Sequence, residues 1–378
     1  MSEEQEVLSA DEEDALYEEV LDLYSREGLD GVLAGPPELR NAAGCRALVN
    51  LGRGIRLIDP DSSAACVVCA DLLASRLRAG EIGERELEDF RCEIALELVF
   101  CWISLKQTVA AEEALARAAR CLPKGTRGQA LKGKLLETWA VLHGSQEDFD
   151  KARQAARAAL ALYEEAGERH DQGRILYRMS IIEERNGDAE RMEESLRFAS
   201  EARARLDATA EPDLYLSAIH QQATCLVDLE RYREARIRLF ESLGHHQQHG
   251  DAVDELQRAV LEGLSNAGLG KLDAAERELV TALLGLCAAG VGYVFGLLAL
   301  ELCAVYFDQG RVDDARTAAM KIIPVFQSLP LPAGGQKAML YLEMALQDNF
   351  ADADLLRRTA RYMRELQHDP EARFRPRG

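Results

Sequence analysis

Gly310-Arg311-Val312-Asp313-Asp314-Ala315 is the stretch whose reading decides the fold. Forty residues earlier stands Gly270-Lys271-Leu272-Asp273-Ala274-Ala275, and before it come Glu230-Arg231-Tyr232-Arg233-Glu234-Ala235 and Glu147-Asp148-Phe149-Asp150-Lys151-Ala152. Each is a turn, then an apolar residue, then polar residues, then a small residue inside the start of a helix. Self-similarity at a fixed period of 20 to 50 residues marks a repeat array, in which no unit buries its apolar face alone.

The small residue sets the register. It falls at 111, 152, 192, 235, 275, 315 and 355; five of the seven are Ala, with Met192 and Leu355 as exceptions. Seven residues later stand Ala118, Ala159, Ala199, Ser242, Ala282, Ile322 and Tyr362. Twelve residues before come Ala140, Ser180, Ala223, Gly263 and Cys303. Small side chains at these sites let neighbouring helices approach closely. Helix pairs are expected near 127–143 and 148–166, 169–186 and 188–206, 212–228 and 231–244, 251–267 and 271–288, 292–309 and 311–328, and 335–348 and 352–367. Short turns make the members of each pair antiparallel. Before them, helices are expected from a capping signal at Ser9-x-x-Glu12, and then near 38–58, 61–78, 85–106 and 108–121.

Composition agrees. The 378 residues are 47% apolar, with only 10 prolines, and no stretch alternates in the manner of a strand. With 45 basic against 65 acidic residues, the formal charge of −20 opposes nucleic-acid binding. The acids crowd residues 1–25, which hold ten and no Lys or Arg. Residues 355–378 hold seven arginines against three acids. That basic end reads as a solvated face or as a docking face for an acidic partner, through Arg357, Arg358, Arg361 and Arg364. Nine cysteines, an odd number set in helical patterns, fit buried reduced thiols in a cytoplasmic protein. The acidic start is the opposite of a signal peptide. Thr281–Leu300 carries no charge over twenty residues, but glycines interrupt it and the repeat frame places a turn near Ala289-Gly290, so two buried half-segments are expected rather than a membrane span.

The three-point spacing of small residues resembles the tetratricopeptide-repeat family over about residues 105–365. Trp139, Tyr306, Leu136, Leu176 and Ile219 stand at its first-helix core sites. The period departs from the family's 34 and approaches 40, as in long-helix bacterial variants. The resemblance implies an all-α, right-handed α-solenoid of antiparallel helix pairs without a sheet. The expected organisation is a capping region over 1–125, an array over 126–350 and a basic capping helix and tail over 351–378. A HEAT-like array shares the period but not the triplet of small residues.

Motifs for chemistry are weak. Cys66-Val67-Val68-Cys69 lacks a second ligand pair or a βαβ setting. His245, His246 and His249 form an H-H-x-x-H run that reads as a metal site or, more simply, as imidazoles at a helix end. Gly268-Leu269-Gly270-Lys271 lacks the length and hydroxyl residue of a phosphate loop. The abundant carboxylates sit in no apolar, glycine-rich setting. Neither catalytic residues nor a cofactor are expected.

The family's frame implies that first helices line a concave surface. There it sets Tyr177, Ile181, His220, Thr224, Val227, Val260, Leu264, Leu300, Ala304 and Phe307. The family's clamp for C-terminal carboxylates uses Lys, Arg and Asn at such sites, and these are largely missing. An apolar lining suits an amphipathic helix or hydrophobic peptide; the alternative is that the N-terminal helices, or a tighter superhelical closure, fill the groove internally. The expected role is therefore a non-enzymatic interaction module, an adaptor or inhibitory subunit of a protein partner. Relatives of this kind accompany sigma factors, caspase-like proteases or phage-defence effectors in bacteria. The second reading is a regulator that senses a peptide or small molecule in the groove.

Overall fold

The computed structural model describes residues 41–56, 59–77, 83–185, 189–288, 292–329 and 331–366, together with 22, 23, 26–28, 31, 34 and 374. Most of the expected first helix, the turns at 186–188 and 289–290, and the arginines at 373, 375 and 377 lie outside them. Among the described residues there is no strand, and no helix is long and apolar enough to cross a membrane.

The chain divides into two compact units, residues 1–171 and 172–378. The first contains α1 (Ala42–Ile55), α2 (Pro60–Arg76), α3 (Glu84–Ser104), α4 (Thr108–Cys121), α5 (Gly128–Ser145) and α6 (Phe149–Ala166). They pack as pairs, α1 on α2, α3 on α4 and α5 on α6, with α3 also touching α2 and α5. The second contains α7 (Arg169–Arg185, whose first turn straddles the boundary), α8 (Ala189–Arg205), α9 (Pro212–Asp228), α10 (Tyr232–Glu241), α11 (Leu243–His249), α12 (Ala252–Gly268), α13 (Leu272–Ala288), α14 (Gly292–Asp308), α15 (Val312–Gln327), α16 (Ala333–Gln347) and α17 (Ala353–Glu365). Most observed ends lie within a residue or two of the expected ones. The helix expected over 231–244 is instead two, α10 and the short α11.

The turns inside the pairs explain the repeated motif. Lys106, Glu147, Glu230, Gly270, Gly310 and Asn349 occupy the same site and all have positive φ, from 57° to 78°. At Gly310 the amide donates to the Phe307 carbonyl at 2.9 Å, and the Arg311 amide donates to the Tyr306 carbonyl at 2.9 Å. That pair of bonds is the Schellman motif, which satisfies the last carbonyls of the first helix and reverses the chain. The Gly268–Lys271 stretch does the same, with Lys271 N–H on the Asn266 carbonyl at 2.9 Å. It is a helix-ending turn, as its cousins indicate.

The small residues sit where the helices meet. Ala111, Ala118, Ala152, Ala159, Ala199, Ala235, Ala275, Ala282 and Ala315 are all fully buried, as are Ala140, Ser180 and Ala223. At Gly263 a methyl group would stand 2.7 Å from Leu279 Cδ2, so α12 and α13 touch nearly backbone to side chain. Ser180 and Ser195 exchange hydrogen bonds between α7 and α8, each hydroxyl donating to the other's carbonyl at 2.9 and 2.8 Å. Two expectations need correction. Met192 is only half-buried; Ser195, one turn on, is the closely packed residue. Trp139 is 46% exposed rather than a core side chain; it borders a cavity of about 380 Å³ with Leu115, Leu135 and Leu142.

Candidate functional site

The second unit holds an apolar cavity of about 360 Å³. Its floor is α12, where Leu256, Val260 and Leu264 recur every four residues and so share one helix face. One wall is the end of α9, with Thr224, Val227 and Asp228. The other is α14, with Val294, Leu297 and Glu301. Over its seventeen residues α14 carries only two charges, Glu301 and the terminal Asp308, so it is apolar almost all round and is buried as such a helix must be. Glu184 from α7 and Arg364 from α17 complete the lining.

Half of the cavity's polar residues are carboxylates. Burial pushes the Glu184, Asp228 and Glu301 carboxyls above the usual range, because desolvation penalises the ion. Neighbouring hydrogen-bond donors and arginines oppose this. Gln221 Nε2 donates to Glu184 Oε2 at 2.6 Å. Arg364 Nη1 lies 3.6 Å from Asp228 Oδ1, and its Nη2 lies 3.7 Å from Glu301 Oε1. Arg361 also lowers the Asp228 and Glu301 carboxyls through its charge.

Behind the wall lies a buried imidazole pair. His220 Nδ1 donates to Gln257 Oε1 at 3.0 Å, and the two Nε2 atoms of His220 and His246 are 2.9 Å apart. Since Gln257 takes the Nδ1 proton, His220 Nε2 accepts and His246 Nε2 donates. Burial drops His220 to about 4 and lowers His246 as well. The expected H-H-x-x-H run is thus split. His246 turns inward, while His245 packs on Tyr215 at 4.8 Å between ring centres and faces His249 at 6.4 Å. No three His, Cys, Asp or Glu side chains converge on a cation position among the described residues. Cys66 and Cys69 are buried, with thiols raised by burial to about 12 and 11, as suits inert core residues.

Of the ten residues expected to face a groove, Thr224, Val227, Val260 and Leu264 line this cavity. His220 is fully buried beneath it. Tyr177 and Ile181 are half-buried on α7 outside the lining. Leu300 and Ala304 are fully buried in one core cluster with Leu356, Ala360 and Met363 of α17, and Phe307 packs against that cluster. The chain therefore fills the α14 end of the expected groove with its own last helix and leaves the α9–α12 part open. The four arginines of that helix meet the chain's own acids. Arg357 pairs with Asp308, Arg358 with Asp354 at 3.1 Å and Arg361 with Glu230 at 3.2 Å, besides the two contacts of Arg364. Leu256 was within reach of the sequence, one turn before Val260. Asp228, Glu301 and Arg364 were not, because they belong to helices far apart in the chain.

No family model matches the chain, and no curated protein matches it. Solved structures do. A Rap protein complexed with competence and sporulation factor is 16% identical, matches 85% of this chain and 82% of its own, and superposes with a TM-score of 0.53. Aspartyl phosphate phosphatase F from Bacillus subtilis is 14% identical over 86% of both chains, with a TM-score of 0.55. A STAND signal-transduction ATPase with a tetratricopeptide-repeat sensor, from Pyrococcus horikoshii, is 12% identical over 97% of this chain, which spans 54% of that one, with a TM-score of 0.53. These likenesses establish the fold: the chain is a tetratricopeptide-like α-solenoid of antiparallel helix pairs.

Proposed function

We propose that this protein is a cytoplasmic, non-enzymatic interaction module that regulates a partner by holding a peptide segment of it in the α9–α12–α14 groove. The observation that carries this is the cavity itself. A volume of about 360 Å³ falls at the small end of ligand pockets, which run from about 300 to 1,000 Å³. Most of its lining is apolar, with a few polar groups among it on both walls, as suits a few apolar side chains of an extended or helical segment. The similar Rap structure is named for its complex with competence and sporulation factor, which is in keeping with this reading. The reading extends to a role as adaptor or inhibitory subunit in a bacterial regulatory system, with the partner's segment as the recognised part. The second reading, a sensor for a small molecule, draws on the same volume and differs in what fills it.

Panning a library of seven-residue peptides against the full chain and against a Leu264→Asp variant tests the proposal. Peptides rich in apolar residues are expected to be retained by the parent chain and lost by the variant. Retention by both would place binding elsewhere. Failure of every peptide, with a metabolite mixture raising the melting temperature of the parent only, would favour the sensor.

A further inference from the structure

α17 departs from the pattern of the other second helices. It packs chiefly on α14 and only lightly on α16, its own pair partner. Its apolar face is anchored: Leu356, Ala360 and Met363 are fully buried, Tyr293 Oη donates to the Met363 carbonyl, and the Phe374 ring lies 5.0 Å from that of Tyr362. Its arginines follow the anchored residues by one position each, so they form an adjacent stripe about 100° round the helix. Arg357, Arg361 and Arg364 fall at spacings of four and three, one stripe of the helix.

That stripe reaches both sides of the cavity. α9 packs on α12 and α12 touches α14, and residues of both α9 and α14 line the cavity. Arg364 joins the two, one guanidinium nitrogen toward Asp228 on α9 and another toward Glu301 on α14. Arg361 adds a second strut to Glu230, in the turn that follows α9. Without the guanidinium, two half-buried carboxylates would face each other across an apolar space, each raised already by burial.

We propose that Arg364 is the clasp of the groove: it ties the α9 wall to the α14 wall through Asp228 and Glu301, and a segment enters the cavity by way of the opened clasp. The inference rests on the reading of the cavity as the binding groove and adds how access to it is governed. Because the clasp belongs to a helix whose apolar face is independently anchored, it opens without unfolding α17. Its Asp228 and Arg364 side chains are 26% and 38% exposed, so salt weakens it and ligand groups reach it.

The test uses the full chain and the neutral apolar dye Nile red, with Arg364→Ala, Arg364→Lys, Arg364→Ala/Glu301→Gln and Leu297→Asp variants. Dye uptake is followed by stopped flow and amide exchange of residues 226–232 by mass spectrometry. Arg364→Ala is expected to take up dye about tenfold faster and to exchange those amides about tenfold faster, since a lost clasp lowers the local opening free energy. The Lys variant is expected to fall between it and the parent chain, because one ammonium cannot span both acids. Adding Glu301→Gln is expected to slow uptake again by removing one of the two facing charges. Leu297→Asp is expected to abolish dye binding in every background. Parent-like uptake and exchange in Arg364→Ala, with Leu297→Asp still blocking the dye, would overturn the clasp and leave the groove standing. Dye binding that survives Leu297→Asp would overturn the groove and the clasp together. Should Arg364→Ala fail to fold by circular dichroism, the Lys variant decides, and parent-like rates in it would overturn the proposal.

Discussion

Replacing Gly263 by Ala tests the close approach on which the repeat depends. The added methyl would lie 2.7 Å from Leu279 Cδ2, 2.8 Å from its Cγ and 3.2 Å from its backbone nitrogen. Ordinary carbon contacts are about 3.5–4.0 Å, so roughly 1 Å must be found. Leu279 is fully buried and its Cγ is fixed to a helix, so it cannot swing clear. Overpacking of this kind costs about 1–3 kcal/mol, against which Ala gains about 1 kcal/mol over Gly in helix propensity. A net loss of about 1 kcal/mol is expected, or about 2–4 °C in melting temperature for a unit of this size. Gly244 supplies the control. It lies inside α11 and a methyl there meets nothing within 4 Å, so Gly244→Ala should gain up to about 1 kcal/mol by propensity alone. Differential scanning calorimetry of the two variants reads opposite signs if the packing is as described. A Gly263→Ala variant as stable as Gly244→Ala would refute the close approach. Combining Gly263→Ala with Leu279→Ala should cost less than the sum of the two, since the methyl then fills part of the cavity left by the leucine.

Three further outcomes follow from particular residues. His220 is held neutral, with its pKa lowered from 6.5 to about 4, so the unfolded chain takes up a proton first as pH falls. Stability should be unaffected by this group above pH 6.5 and should decline between 6.5 and 4 by about 3 kcal/mol; the raised acids Glu184, Asp228 and Glu301 act in the opposite sense, so the His220→Gln difference curve from urea titrations isolates the effect. Lys106 holds a φ of 57° without being glycine, so Lys106→Gly should stabilise by about 1 kcal/mol, and Gly310→Ala at φ 78° should destabilise by about as much in thermal melts. Native thiol labelling at neutral pH should modify Cys287, which is exposed, and leave the seven buried cysteines untouched, as intact-mass measurement would show.

The helical register was legible because sterics wrote it. A position where two helices touch admits only a small side chain, and such positions recur with the pitch of the array, from Ala111 to Ala315. The turns were legible as well, since an αL residue favours Gly at 270 and 310. At Trp139 the pattern misleads: a large apolar residue at a core-like position predicts an inward face, while the true contact is one residue on, Ala140. The cavity lining was legible only in part. Val260 and Leu264 follow a helical period, but α14 is apolar almost all round, and so uniform a pattern does not tell its cavity face from its core face. The fold-back of α17 left no mark at all. Its buried residues have the spacing of any second helix, and periodicity names the face that is buried, not the helix that buries it. The acids that receive its arginines lie elsewhere in the chain, and only the tertiary structure brings Asp228, Glu301 and Arg364 together.

The central claim is that the α9–α12–α14 groove holds a peptide segment of a partner. Site-specific photo-crosslinking tests it most directly, with p-benzoylphenylalanine placed at Val260, on the groove floor, or at Phe240, which is exposed and outside the lining. Irradiation in cells followed by mass spectrometry is predicted to yield one recurrent peptide adduct from the Val260 position and not from Phe240, and the adduct should disappear in a Leu297→Asp background. Adducts of the same kind from both positions, or an adduct at Val260 that persists with Leu297→Asp, would contradict it.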